Sequence, residues 1–301
     1  EKSWAFEKTP KLSTYLFAVI AGPYEEIKGE NTYKGIPMSM YCRQSKMEDL
    51  RKVVDIYFEA TCKSMEWYEK FFDYPFPFSK YDQIFCPEFN VGAMEHPGAV
   101  TFNDQAYIFK DGKCLKDQLF RACGTFAHEL AHMWFGNLVP MKWWNDLWLN
   151  ESFADFIAYY CLAEIDFSVK GSSFSKLFHV RKQWGYSTDQ MTSTHPIAGE
   201  VVNTEAALSI FDGITYSKGA STLLQLLHLV SPAKFSAAIS RYFKKYEWSN
   251  TVLADFIQEM ELEFRTCEYP FHFSMEWRVD WIETAGLNII EPEFDYTKHD
   301  Y

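Results

Sequence analysis

The five residues His128-Glu129-Leu130-Ala131-His132 form the most informative stretch of this sequence. Two residues four positions apart on a helix lie on the same face, one turn apart, so both imidazoles can reach a single metal ion. Glu129 lies about 100° further round the helix, where its carboxylate can hold a metal-bound water without being a ligand. The spacing predicts a helix that carries a zinc site, with His128 and His132 as ligands and Glu129 as general base.

An alternative interpretation is a helix face that carries two histidines in the core or in solvent. The neighbouring residues Phe126, Met133 and Trp134 are apolar and predict that the helix is buried. Two unpaired imidazoles and a carboxylate in such a core would cost several kcal/mol. The metal site is therefore the favoured interpretation.

A catalytic zinc ion takes three protein ligands and leaves its fourth position to water. Glu151 follows His132 after 18 intervening residues. A loop with Gly136 and Pro140 allows a second helix to pack back on the first, so its early turn would present Glu151 to the ion. Asp155, one turn further on, is placed to accept a hydrogen bond from the far nitrogen of a ligating histidine. A solvated helix charge is the alternative for Asp155.

The residues around this site predict an α+β fold. Strands are predicted at 13–21, 33–42, 83–86 and 99–103 from their composition and turn residues. Apolar residues recur at helical spacing from Met47 to Phe72, which predicts a helix there. Further helices are predicted at 115–135, 150–165, 172–184, 218–229, 232–246 and 251–263. The pattern gives a β segment, then a small lobe of sheet and helix, and then a helical lobe.

We expect three units along the chain. Residues 1–45 are predicted as the end of an N-terminal β domain, 46–290 as the catalytic unit and 291–301 as the start of a following β segment.

The formal net charge of −12 argues against a nucleic-acid partner. No uninterrupted apolar run reaches about 18 residues, so no membrane segment is predicted. Seven scattered cysteines without a CxxC pair predict free thiols in a reducing compartment, and hence a cytoplasmic protein. The alternative is that each cysteine is half of a disulfide bridge in an extracellular protein.

Four segments resemble the gluzincin aminopeptidases, a family that includes aminopeptidase N, the puromycin-sensitive enzymes and leukotriene hydrolase. The first is HELAH at 128–132, followed by Glu151 in WLNESFAD. The second, VGAME at 91–95, is similar to the family's GAMEN segment. The third and fourth, FDGITYSKGA at 211–220 and WIETAGLN at 281–288, resemble its catalytic-tyrosine segment and the end of its catalytic domain. The chain is identified as a member of this family, which implies a thermolysin-like catalytic domain.

The resemblance implies one zinc ion per chain, held by His128, His132 and Glu151. Glu129 would activate the water, and Tyr216 resembles the tyrosine that stabilises the oxyanion as water attacks the scissile carbonyl. The implied activity is removal of single N-terminal residues from peptides that have a free N-terminus.

Glu95 is implied to bind the α-ammonium of the substrate. A buried carboxylate near the zinc would pair with an ammonium group that mid-chain peptide bonds lack. Gly92 and Ala93, followed by Met94, would let an extended substrate backbone approach as an added strand. An exposed turn carboxylate is the alternative for Glu95. A further amine-binding residue is expected in a part of the protein outside these 301 residues.

One position departs from the family pattern, since His96 stands where the family usually has asparagine. That asparagine is implicated in holding the substrate backbone. His96 can donate a hydrogen bond in the same place, but it is larger and its charge changes near about pH 6.5. We therefore expect activity, with the fine specificity and the pH profile depending on this position. His195, in a loop before Pro196, is interpreted as structural.

Three rival functions remain for a chain of this kind. Leukotriene-hydrolase-like epoxide hydrolysis needs an aspartate and a second tyrosine before the catalytic tyrosine, where this chain has Leu208 and Phe211. A catalytically dead scaffold of the same fold would have lost ligands or the general base, and this chain keeps them. A thermolysin-like endopeptidase would have no use for Glu95.

Overall fold

Five strands form one mixed sheet in the N-terminal part of the chain. The computed structural model describes residues 3–30, 32–169, 174–265, 273–288 and 291–294. The strands are β1 Tyr24–Lys28, β2 Ser39–Arg43, β3 Gln83–Cys86, β4 Ala93–Met94 and β5 Val100–Asn103. Their order across the sheet is β1-β2-β3-β5-β4. The inner pairs β2–β3 and β3–β5 are parallel, and β1 and β4 are antiparallel to their neighbours at the two edges.

Helices make up most of the remaining chain. The α-helices are α1 Met47–Arg51, α2 Val54–Phe72, α3 Asp104–Tyr107, α4 Lys116–Ala131, α5 Leu147–Glu164, α6 Phe174–Asp189, α7 Thr204–Ser209, α8 Gly219–Val230, α9 Pro232–Tyr246 and α10 Leu253–Phe264. Two segments, Ile214–Lys218 and Phe273–Ile282, are π-helical. The α+β fold class expected from the sequence is confirmed. In the described part of the chain, no helix combines the length and apolarity that crossing a bilayer requires.

An aromatic core supports the two central helices, α4 and α5. The rings of Phe135 and Phe153 stack with centroids 4.1 Å apart, and Phe72 meets Trp134 at 5.4 Å. Phe243 of α9 closes the cluster edge-on against Phe135. Aromatic pairs with this geometry add to the free energy gained from burial. The first turns of α5 and the last turn of α4 are thereby held rigidly next to each other.

Several predicted elements agree closely with the structure. The strand at 83–86 and the helix at 232–246 have the predicted bounds. The helix predicted from Met47 to Phe72 is interrupted at Lys52 and Val53, and it ends at Asp73, which adopts the left-handed conformation of a C-cap with φ 47°. The short helices α3 and α7 were not predicted.

The strand predicted at 13–21 is wrong. Thr14–Leu16 is a single 3-10 turn, and the residues after it are extended without a partner strand. Leu16 is buried, whereas Phe17 and Val19 are about four-fifths exposed, at 80% and 81%. The β-rich composition that suggested a strand therefore belongs to an extended segment lying on the surface of the domain.

The strand predicted at 33–42 is confirmed only at its end, because Tyr33–Gly35 is a 3-10 turn and β2 begins at Ser39.

β1 and β2 belong to the same sheet as β3–β5. The division of the chain at residues 45 and 290 stays a prediction. Most of 291–301 lies outside the described residues.

Candidate metal centre and active site

The last turn of α4 and the first turns of α5 bring three potential ligands together. His128 Nε2 and His132 Nε2 are 3.0 Å apart. Glu151 Oε2 lies 3.3 Å from the first nitrogen and 3.5 Å from the second. The three atoms form a nearly equilateral triangle in a largely buried pocket.

The size and chemistry of this triangle fit a zinc ion. Bonds of about 2.0–2.2 Å in tetrahedral geometry place neighbouring ligand atoms about 3.3–3.6 Å apart. Two imidazole nitrogens and one carboxylate form a common ligand set of catalytic zinc, with one position left for water. Two imidazole nitrogens 3.0 Å apart must share either a proton or a metal cation, since two facing lone pairs would repel each other. We conclude that the residues present are suited to hold zinc.

Backbone geometry after α4 orients His132. The helix predicted to reach Phe135 ends at Ala131, and the chain then turns. His132 Nδ1 lies 3.1 Å from the carbonyl oxygen of Phe135, so Nδ1 donates and Nε2 keeps its lone pair for a metal. Gly136 has φ +122°, and a Cβ there would come within 3.3 Å of His132 Nδ1. Glycine allows the loop to pass this closely to the ligand.

Asp155 lies behind His128, but its main partner is Arg181. The distance from His128 Nδ1 to Asp155 Oδ1 is 3.8 Å, longer than a direct hydrogen bond. Arg181 of α6 donates to both carboxylate oxygens of Asp155, at 2.9 and 3.0 Å. The expected hydrogen bond from a ligating histidine to Asp155 is therefore not formed, and the role of Asp155 stays a prediction.

Asp155→Asn is expected to weaken zinc affinity by roughly 10- to 100-fold, since a negative charge behind His128 increases the basicity of the ligand. Competition with a chromogenic zinc chelator would measure the affinity. Arg181→Met is the matched control, because it breaks the same ion pair and leaves the carboxylate charged and facing His128. Equal losses in the two variants would assign the effect to packing, and an unchanged affinity in Asp155→Asn would return this residue to a purely structural role.

Two further buried carboxylates lie next to the ligand set. Atoms of Glu95, Glu129 and His132 all lie within 4.8 Å of one another, and Glu95 and Glu129 are each 5% exposed. Burial, and then the charge of Glu95, raises the pKa of Glu129 well above its ordinary value. Burial alone lowers the pKa of His132, but the charges of Glu95 and Glu151 raise it to about 10. The pocket therefore attracts positive charge.

Glu95 is held in place through its backbone. Its carbonyl oxygen accepts a 2.8 Å hydrogen bond from the side chain of Asn137, a buried residue in the loop that follows α4. Gly92 O accepts from Asn103 N at 2.9 Å. The segment that carries Gly92, Ala93 and Met94 is thus fixed against β5, and β4 is the edge strand of the sheet.

The N-terminal segment covers one side of this pocket. His96 Nδ1 lies 3.0 Å from the carbonyl oxygen of Leu16, so the ring bonds to protein backbone. Tyr15 donates to Glu95 Oε1 at 3.4 Å, and its ring lies 5.4 Å from that of Trp144. Sequence reasoning missed Tyr15, because a tyrosine in an irregular segment carries no local signal of its contacts.

Tyr216 reaches the pocket from the π-helical turn Ile214–Lys218. Its ring stacks on His128 with centroids 6.1 Å apart, and Trp184 stacks on it at 5.8 Å. Burial, followed by the charges of Glu151 and Glu129, raises the pKa of Tyr216 well above its ordinary value. The phenol therefore stays protonated and available as a hydrogen-bond donor at neutral pH.

Arg181 lies between Tyr216 and Asp155 and was also missed by sequence reasoning. Its guanidinium lies 4.8 Å from the ring centroid of Trp184 and 5.9 Å from that of Tyr216. The same group pairs with Asp155. A cation over aromatic faces adds favourable electrostatic energy, more so when it is shielded from water. No spacing rule links residue 181 of α6 to residues on two other helical segments.

Comparison with known proteins finds a family match over most of the chain. The sequence profile of the Peptidase family M1 domain matches residues 56–270, which include every candidate site residue from Gly92 to Tyr216. The chain belongs to peptidase family M1. The resemblance to zinc aminopeptidases noted in the sequence is thereby confirmed at the level of the family.

Several curated relatives of this M1 chain are named aminopeptidases. Aminopeptidase N of Streptomyces lividans is 43% identical over 294 residues, which are 97% of this chain and 33% of that protein. Leucyl aminopeptidase of Saccharolobus solfataricus is 34% identical over 95% of this chain and 35% of that protein. Endoplasmic reticulum aminopeptidase 1 of Homo sapiens is 35% identical over 85% of this chain and 26% of that protein. The M1 chain thus spans about a third of the length of these relatives.

Proposed function

We propose that the protein containing this chain is a zinc-dependent aminopeptidase, which hydrolyses the N-terminal residue from peptides with a free N-terminus. The observation that carries the proposal is the position of Glu95. Its carboxylate is buried, lies next to Glu129 and His132, and belongs neither to the ligand triangle nor to the general base. Such a group provides a place for a substrate ammonium beside the reacting peptide bond.

The formal charges of the pocket support the same function. When all three are ionised, Glu95, Glu129 and Glu151 contribute three negative charges within a buried region, and isolated buried charges are costly. A zinc ion and one ammonium group together carry three positive charges and would balance them. A substrate without an ammonium group would leave one carboxylate unpaired.

The chain's own residues then divide the work of hydrolysis. A bound zinc ion supplies Lewis-acid polarisation and a water molecule that ionises near neutral pH. Glu129 takes the proton of the attacking water and is placed to return it to the leaving amine. Tyr216 donates its phenol proton in a hydrogen bond to the oxyanion that develops on the scissile carbonyl. Glu95 holds the α-ammonium and so sets the position of the first peptide bond.

The edge strand β4 supports a defined path for the substrate backbone. β4 pairs with β5 on one side only, and close approach is allowed by Gly92, which has no side chain, and by the methyl group of Ala93. An extended peptide can add to such an edge through main-chain hydrogen bonds. The strand leads directly to Glu95, where a free N-terminus would end.

The rival functions have less support. Residues 208 and 211, where epoxide hydrolysis needs polar groups, are the exposed apolar side chains Leu208 and Phe211. A dead scaffold would not preserve a ligand triangle with the dimensions of a zinc site. The endopeptidase alternative is tested by the experiment below.

The compartment and the remaining partners are proposed on the sequence alone. The scattered cysteines favour the cytoplasm. The net charge of −12 argues against nucleic acid as a partner.

The proposed function is tested with a matched pair of substrates, one dipeptide amide with and without an N-acetyl group. The full-length wild-type protein should cleave the free amine and scarcely cleave the acetylated peptide. Glu95→Ala should lower kcat/KM for the free amine by roughly 10- to 200-fold, because a charge-assisted hydrogen bond to the ammonium is lost. The ratio of kcat/KM for the free amine to kcat/KM for the acetylated peptide should therefore be smaller in this variant than in the wild type.

Two controls accompany the pair. Glu95→Gln keeps the shape of the side chain without its charge and should resemble Glu95→Ala, and zinc removal by a chelator should abolish hydrolysis until zinc is restored. Equal wild-type rates on the two peptides would show that Glu95 binds no ammonium. The thermolysin-like endopeptidase would then be the better account.

A further inference from the structure

Asp212 holds the turn that carries Tyr216. Its Oδ1 accepts hydrogen bonds from the backbone N–H groups of Ile214, at 2.9 Å, and Thr215, at 3.1 Å. Its carbonyl oxygen accepts a third, at 3.0 Å, from the N–H of Tyr216. One residue therefore satisfies three successive backbone donors at the start of the turn.

This turn depends on such support. Ile214–Lys218 is a π-helical segment of five residues, a conformation that is rare and occurs mostly as a single turn. Its two ends pack without space for side chains: a Cβ at Gly213 would lie 2.7 Å from the carbonyl oxygen of Trp184, and one at Gly219 would lie 2.0 Å from Ser152 Oγ. The direction of the Tyr216 side chain follows from how this turn is held.

His195 holds the second oxygen of Asp212. Its Nε2 lies 3.0 Å from Asp212 Oδ2, and its Nδ1 lies 2.7 Å from the carbonyl oxygen of Pro196. Both partners only accept hydrogen bonds, so both ring nitrogens donate in this arrangement, as they do in the imidazolium form. The hydrogen bond to Asp212 raises the pKa of His195, although partial burial opposes it. Charge-assisted hydrogen bonds of this kind are about twice as strong as neutral ones.

Asp189, the other carboxylate whose charge acts on His195, has hydrogen-bonding partners of its own. Asp189 Oδ2 pairs with Lys218 Nζ at 2.9 Å, and Asp189 Oδ1 accepts from Thr194 Oγ1 at 2.7 Å. The side chains of His195 and Asp212 are 25% and 24% exposed, so water screens their pair only in part. The pair joins the loop after α6 to the turn that carries the phenol.

We propose that His195 is a positioning residue for catalysis, which fixes the Tyr216 phenol over the metal pocket by locking the Asp212 carboxylate in its capping orientation. The inference rests on the proposed aminopeptidase function. It gives a role to a histidine that sequence reasoning interpreted as structural. His195 itself touches neither the candidate zinc ligands nor the phenol in the described contacts; it acts through Asp212.

The test compares His195→Leu and His195→Gln in the full-length, zinc-loaded protein on an amino-acid arylamide. His195→Leu removes both donors and should lower kcat by about 10-fold with KM nearly unchanged, since substrate binding does not use the phenol. His195→Gln keeps a donor toward Asp212 and should restore most of the rate. His228→Gln, on the exposed face of α8, is the matched control and should leave kcat unchanged.

A double-mutant cycle with Tyr216→Phe separates positioning from general stability. If His195 acts through the phenol, His195→Leu should lower kcat little further once the phenol is absent. Equal effects in the two backgrounds would overturn the proposal, as would a loss confined to KM. If His195→Leu does not fold, the same cycle is run with Asp212→Asn, which keeps the capping oxygen and loses the charge pair, and which should reproduce the kcat loss.

The cycle also separates this inference from the proposed function. A zinc-loaded wild type that hydrolyses no free-amine substrate would overturn both. A wild type that hydrolyses it, and is slowed by Tyr216→Phe but shows additive effects in the cycle, would overturn the role of His195 alone.

Discussion

Glu129→Gln should leave the zinc ion bound and slow hydrolysis by roughly 100- to 10,000-fold or more. Glutamine has nearly the same shape as glutamate, but its amide cannot take a proton from the attacking water. The ligand triangle of His128, His132 and Glu151 does not include residue 129, so the metal content should stay at one zinc per chain. Zinc analysis and steady-state rates on a free-amine arylamide, measured on the same preparation, check both parts of this expectation.

The control must show that the loss of a buried carboxylate elsewhere in the fold does not by itself lower kcat. Glu259 of α10 is 3% exposed, close to the 5% of Glu129, and pairs with Arg241 and Lys245. Glu259→Gln should lower the melting temperature through the lost ion pairs and leave kcat near the wild-type value. A Glu129→Gln protein with full zinc content and near-normal turnover would exclude Glu129 as the base.

The convergence of the ligand set could be predicted because it follows from local geometry. His128 and His132 lie on one helix face at fixed spacing, and the loop residues Gly136 and Pro140 allow the chain to reverse before Glu151. The structure brings the three atoms within 3.5 Å of one another. Such a prediction needs only helix periodicity and a turn signal.

The end of α4 could not be predicted from the same rules. Met133, Trp134 and Phe135 continue the apolar pattern of the helix, so periodicity extended it to residue 135. The helix instead ends at Ala131, where the loop lets the carbonyl oxygen of Phe135 accept from His132 and the side chain of Asn137 reach Glu95. Backbone hydrogen bonds continue past Ala131 in an irregular pattern, such as Phe135 N to Ala131 O and Leu138 N to Met133 O. The tertiary hydrogen bonds that select this loop leave no trace in local sequence.

Contacts between distant segments were the other part that sequence reasoning missed. Tyr15 reaches Glu95 across 80 positions, and Arg181 reaches Asp155 across 26. Neither pair has a spacing that a helix or strand would impose. In the same way, His195 lacked any partner in local sequence, although it lies 3.0 Å from Asp212 in the fold.

Tyr216→Phe is the substitution that isolates the oxyanion donor. It should lower kcat by roughly 100- to 1,000-fold, the usual cost of removing one oxyanion-hole donor, and leave KM nearly unchanged. Phenylalanine keeps the ring that stacks on His128 at 6.1 Å and on Trp184 at 5.8 Å, so the walls of the pocket should stay in place. The high pKa of the Tyr216 phenol, caused by burial and the neighbouring carboxylates, makes it a protonated donor throughout the neutral range.

Because only the hydroxyl is removed, the size of the kcat loss measures what the phenol contributes in the transition state. Steady-state kinetics on an amino-acid arylamide, with zinc content and melting temperature from the same samples, give that measurement. Tyr246→Phe is the matched control, since its hydroxyl donates to Asp255 on α10 and should change stability only slightly and kcat not at all. A Tyr216→Phe protein with full zinc and a kcat within about twofold of wild type would mean that no bond to the oxyanion is lost. Oxyanion stabilisation would then have to come from the metal alone, and the position of Tyr216 over His128 would be a matter of packing.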